Sequence, residues 1–146
     1  SDVAYETGEH YQPEPWEPNV TALHDPESVK WGDLIRLGTP LPTPWDKEAF
    51  ESGSITAQTE RRELRLSGVE ETVMDRLFTE QMSRETALLG SMTYADQVGA
   101  FEGAAYEATG LYRPEVDCIM FTRNPVGFCR VCSRAIEDVI DQYARP

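Results

Sequence analysis

The sequence predicts a fold that is mostly loop and α-helix and that ends on a long C-terminal helix. Three observations predict it. Seven of the ten prolines (Pro13, Pro15, Pro18, Pro26, Pro40, Pro42 and Pro44) lie in the first third, where each fixes φ and removes a ladder donor. The middle has helix-type apolar spacing closed by Gly90. Near the end, Phe128, Val131, Cys132, Ala135, Ile136, Val139, Ile140 and Tyr143 step by three and four without a miss, the pattern of a helix buried along one side.

Taken in order, residues 1–45 read as a proline-rich acidic loop region. One short helix interrupts it, with Asp25 as N-cap, Pro26 at the first helical position, and Gly38 as the stop beyond Trp31, Leu34 and Ile35. A loop of that length is expected to pack over another element or to carry function. Residues 46–97 read as a helical segment that begins near Thr43-Pro44 and resumes at Ser67-Gly68-Val69-Glu70, whose spacing is that of a capping box. Val73, Met74, Leu77, Phe78 and Met82 then share one face, which is read as core. In residues 98–146 the last helix is expected to take Asn124 as its cap, start at Pro125 and run to about Tyr143.

At 146 residues, with 40% hydrophobic and 27% charged residues, the chain is one domain's worth of ordinary globular composition. No apolar run is long enough to span a bilayer. The net charge of −13 argues against nucleic acid and anionic membranes as partners. Residues 1–33 concentrate that charge, with eight acidic side chains against the single Lys30. No basic segment followed by an apolar stretch opens the chain, so no signal peptide is read there. Three cysteines leave at least one thiol unpaired within the chain, too few for a disulfide scaffold.

Few catalytic signatures are present. A zinc hydrolase needs two imidazoles one helical turn apart beside a carboxylate, and the only histidines, His10 and His24, sit in loop without an HExxH. Glu9 or Asp25 could join either one on a metal, but a lone loop histidine reads as solvated. The chain alone is therefore expected to bind no metal. No GxSxG elbow or phosphate loop appears either. Cys129-Arg130-Val131-Cys132 is a CxxC at a helix start beside an arginine, which suits thioredoxin-like chemistry. No strand-helix-strand pattern precedes it, however, and Cys132 falls inside the apolar stripe. The sequon Asn19-Val20-Thr21 reads as incidental.

Several short pieces, in this order, resemble a known family: Glu17-Pro18-Asn19-Val20-Thr21, Lys30-Trp31, the run from Gly38 to Pro44, Phe101-Glu102-Gly103-Ala104-Ala105-Tyr106, Gly110-Leu111-Tyr112-Arg113-Pro114, Asp117-Cys118-Ile119-Met120 and the Phe128 to Cys132 stretch with Ala135-Ile136. Together they are similar to the IgA-peptidase-like zinc metallopeptidases over roughly residues 14–45 and 98–143. The resemblance implies an α+β, metzincin-like catalytic domain of which this chain is the C-terminal part, with zinc held by an upstream HExxH helix. The chain by itself would then be inactive, and its partners would be a protein or peptide substrate and the missing N-terminal half. Met120 would be the methionine of the Met-turn, the apolar floor beneath the zinc histidines, and Glu102, Tyr106, Tyr112 and Arg113 are candidates for the wall of the substrate cleft. A secreted or cell-surface bacterial location follows from the same resemblance. Two features depart from the family pattern: Arg130 stands between the cysteines where proline is expected, and residues 46–97 are longer than expected. The rival reading is a non-catalytic helical interaction module that works through the acidic arm or the methionine-containing stripe.

Helix geometry at about 100° per residue puts Cys132 at the centre of the last stripe and Cys129 at its edge. On that spacing Cys118 is expected to pair with Cys129 in an oxidising compartment, leaving Cys132 a buried free thiol.

Overall fold

Prolines keep the first third extended, and the computed structural model, which describes residues 12–144, shows how that extended chain is tied down. Lys30 is the anchor. Its ammonium donates to the carbonyls of Pro15, Glu17 and Val20, the last two at 2.8 Å, and pairs with Glu14 at 3.2 Å. Glu14 in turn accepts from the Thr21 hydroxyl and the Ala22 amide. One cation thus gathers an acidic loop around itself.

Instead of the single short helix expected between Asp25 and Gly38, two separate 3₁₀ turns form, Pro26–Ser28 and Gly32–Leu34. Asp25 does cap the first, accepting from the Glu27 amide at 3.0 Å. The chain then turns extended at Val29. Val29 and Trp31 are both buried, and a continuous helix would point residues two apart to nearly opposite sides. Unwinding buries both, and the Trp31 indole donates to the Gly99 carbonyl at 2.6 Å.

The helical segment is an antiparallel pair, α1 (Lys47–Leu66) and α2 (Glu71–Gly90). α1 starts at Asp46, whose carboxylate accepts from the Ala49 amide, and not at Thr43. The Thr43 hydroxyl is already committed, donating to the Pro40 carbonyl at 2.8 Å and accepting from the Ala100 amide at 2.9 Å. Nor does the Ser67 to Glu70 capping box form. Ser67 closes α1, its hydroxyl on the Leu64 carbonyl, and Gly68 at φ +72° reverses the chain into α2. The stripe read as core is buried only at Met74, while Val73, Phe78 and Met82 stay open. The reason is that the seam between the helices is polar. Buried Gln81 bonds to the Ala57 carbonyl, Glu60 and Arg61, and the Arg61 guanidinium lies 5.2 Å over the Phe78 ring.

The pair leaves and rejoins the body through one narrow neck. Thr39 bonds Gln97 at 3.2 Å, the Thr43 amide donates to the Ala100 carbonyl at 2.8 Å, and the Asp46 amide meets the Met92 sulfur. Beyond the neck, β1 (Phe101–Ala104) and β2 (Glu107–Arg113) form an antiparallel hairpin. Phe101 faces Arg113 and Glu102 faces Tyr112, with an irregularity at Gly103. Thr21 bridges the free edge of β2 at Tyr112. α3 is one turn, Ile119–Thr122, and α4 is Arg130–Ala144.

α4 begins five residues later than Asn124-Pro125 predicted. The Asn124 amide group faces Asp117 and not the helix start, Gly127 turns the chain at φ +77°, and the Glu115 carboxylate takes the Arg130 amide at 2.7 Å. One-sided burial along the whole helix is also not found. Val131 and Cys132 are buried, while Ile136, Val139, Ile140 and Tyr143 are exposed. The described residues reach only the first turn of its apolar side. Four α-helices and a two-stranded sheet make the described residues an α+β fold.

Candidate functional site

Strand parity decides where the predicted cleft residues go. Glu102 and Tyr112 face each other across the hairpin, and on that face the Glu102 carboxylate takes the Lys47 ammonium at 3.1 Å and the Gly110 amide at 3.4 Å. Burial pushes the Tyr112 hydroxyl up, as do the negative charge of Glu102 and the hydrogen bond between them. Lys47, from the start of α1, also donates to the Ala108 carbonyl. Tyr106 stands apart at the hairpin tip, fully exposed, where Ala105 and Tyr106 both take the left-handed backbone of a tight turn.

Arg113 lies on the opposite, inner face and is 4% exposed. Its guanidinium donates to the carbonyls of Glu102, Gly103 and Val116 at 2.8–3.2 Å. The Trp45 and Phe121 rings lie 4.4 and 3.6 Å from it. Burial pulls the group down to about 9, opposed by Asp117 and Cys118, so it remains a cation at neutral pH. A guanidinium so engaged organises the hairpin and the turn after it, and its donors face protein carbonyls. Met120 is on α3 and 64% exposed, while its neighbour Phe121 turns inward over Arg113.

Next to α3 is a polar network that the sequence did not signal. Asp117 accepts from the Thr122 hydroxyl at 2.5 Å and the Asn124 amide at 3.1 Å. Asn124 is fully buried, and its Oδ1 has no donor. Glu85 of α2 reaches the same place, and burial pushes its carboxyl up, with the Asp117 charge adding to the shift. Thr122, Arg123 and Asn124 close a cleft of about 650 Å³ whose other walls are α1 and α2.

The three thiols converge. Cys118, Cys129 and Cys132 are all buried, and their sulfurs lie within 4.8 Å of one another. They are free, with the Cys118 and Cys132 sulfurs 3.8 Å apart. Hydrogen bonds from Cys129 and Cys132 hold the Cys118 thiol well below its usual range, and the same contacts push Cys129 up. The expected contrast between an accessible Cys129 and a buried Cys132 is not seen, because the turn at Gly127 folds Cys129 inward against Cys118. Among the described residues this trio is the one group of His, Cys, Asp and Glu side chains placed to share a metal ion. His24 instead has Nε2 on the Gln12 carbonyl at 2.7 Å. His10 and Glu9 lie outside the described residues.

Residues 1–140 match the sequence profile of a peptidase family, which makes this α+β chain a peptidase-related domain. That family is IgA Peptidase M64, whose members are zinc peptidases, and the chain belongs to it. No curated protein matches the chain closely enough to add a named relative. Among the described residues no helix is long and apolar enough to cross a membrane.

Proposed function

We propose that the chain is part of the catalytic domain of a zinc-dependent endopeptidase acting on protein substrates. The observation that carries this is the family match over residues 1–140. The imidazoles present do not fit a catalytic zinc. The sequence has two histidines and no HExxH, and His24 is engaged with backbone. The zinc-binding helix is therefore assigned to another stretch of the same polypeptide, N-terminal to these residues, and no catalytic step is assigned to groups on this chain.

What the chain contributes on this reading is a cleft wall and a floor. Glu102 and Tyr112 present a carboxylate and a phenol on one face of the hairpin, suited to hydrogen-bonding a peptide backbone. Exposed Met120 is the apolar group offered to a metzincin-like metal centre. The open side of α4 is where the zinc-bearing half would pack, and secretion fits the family reading. Substrate identity is left as protein or peptide.

The test compares the 146-residue chain with the polypeptide extended to include an HExxH segment, using a quenched-fluorescence peptide library. The extended protein should hydrolyse peptides and be inhibited by 1,10-phenanthroline, and the chain alone should not. Equal metal-dependent hydrolysis by the chain alone, or none by the extended protein, would sink the reading.

A further inference from the structure

We infer that Cys118, Cys129 and Cys132 form a thiolate site for a structural zinc ion, separate from any catalytic metal. Three observations support it. One pair of sulfurs already has the separation that a metal imposes, and the third sulfur is close to both. Around a tetrahedral zinc with sulfur at about 2.3 Å, two sulfurs are about 3.8 Å apart. The Cys118 and Cys132 sulfurs are 3.8 Å apart, and all three lie within 4.8 Å of one another. A disulfide would bring two sulfurs to about 2.05 Å and leave the third without a role.

Each sulfur also receives an N–H donor, the arrangement that stabilises metal-bound thiolates. The Cys129 amide donates to Cys118 at 3.2 Å, the Cys132 amide to Cys129 at 3.4 Å, and the Asn19 side chain to Cys132 at 3.4 Å. Donors and sulfurs together lie on three separate stretches of chain, at Asn19, Cys118 and Cys129–Cys132, so the cluster is built by the fold and not by one local turn. The surroundings complete the site. Val29, Trp31, Val98 and Val131 pack around the sulfurs, and Cys129 and Cys132 sit at the start of the 15-residue α4, whose positive end offsets excess negative charge.

The donor set is soft, which selects zinc over calcium or magnesium. Zinc replaces the thiol protons, which leave to solvent, so that three thiolates and one Zn²⁺ carry a net single negative charge. The trio supplies three ligands, so the fourth would have to be an exogenous group such as water, and Asn19, which donates to Cys132 at 3.4 Å, is the polar side chain beside the cluster. The bound ion would pin the extended segment at Cys118, just before α3, to the start of α4. The expectation that this chain binds no metal weighed imidazoles alone and is replaced by this one.

The experiment uses the 146-residue chain, purified under reducing, anaerobic conditions in zinc-containing buffer. Elemental analysis should find one zinc per chain, and X-ray absorption at the zinc edge should find three sulfurs at about 2.3 Å. Cobalt substitution should give thiolate-to-metal charge-transfer absorption. Serine at any one of the three cysteines should weaken zinc binding by about a hundredfold or more, and Asn19→Ala by about tenfold. His24→Ala should leave binding unchanged. Should the serine variants fail to fold, the absorption spectrum of the unaltered chain still decides. Nitrogen or oxygen ligands only, or no zinc retained by the reduced chain, overturns the site. A disulfide within the trio together with failure of the reduced protein to take up zinc does the same.

Discussion

Arg113 keeps its neutral-pH charge almost out of reach of water by spending its donors on three carbonyls and its faces on two rings. Lysine would preserve the charge but has neither the fork nor the flat faces. Arg113→Lys is therefore expected to cost about 2–4 kcal/mol, because carbonyls are left unpaired in the interior, and calorimetry should show the melting temperature falling by about 8 °C. A fall of less than about 2 °C would mean the contacts contribute little. Glu85 makes a different kind of prediction. Burial raises its carboxyl above the ordinary 4.5, so the folded chain holds that proton more tightly than the unfolded one. Its contribution to stability is greatest below pH 4.5 and declines as pH rises through the folded value. Glu85→Gln keeps an acceptor for Asn124 and removes the charge, so it should raise the melting temperature by about 2 °C at pH 7. The gain should vanish near pH 4, and a gain that grew on acidification would reverse the assignment. Neither role was legible in sequence. Tyr112-Arg113-Pro114 looks like surface, and only the strand register, unmarked by any Asn-Gly turn, sends Arg113 inward.

Among the elements, α4 separates what periodicity reveals from what it hides. The three-and-four spacing identified a helix that runs through Tyr143, since such spacing is a property of the chain itself. The start was misplaced because Asn124 found a better partner in Asp117, a tertiary choice that local capping rules do not contain. Burial was overstated for a related reason: a stripe shows which side of a helix avoids water, not whether anything covers it. Ile140 is 59% exposed, so Ile140→Glu should change unfolding free energy by no more than about 0.5 kcal/mol. A loss of several kcal/mol would show that the stripe is packed after all. The hairpin β1–β2 went unread because Ala105-Tyr106 carries no turn signature, although its backbone is that of a tight turn.

For the molecule as a whole, the family was legible because ordered motif spacing survives where single motifs are weak, and the family match covers residues 1–140. The thiol cluster was only half legible: Cys129 and Cys132 announce themselves as a CxxC, while Cys118 joins them only through the turn at Gly127. The neck between Thr39–Asp46 and Met92–Ala100 has a broader consequence. Because both ends of the helical pair pass through one doorway, lengthening or trimming the pair leaves the ends where they were and costs the rest of the molecule little closure entropy. The segment is thus a ready point of variation. Its far end can grow or shrink while Leu89 and Phe50, near the doorway, stay packed with Phe101 and Val116, and such a change is felt first along the cleft the pair shares with Thr122 and Asn124.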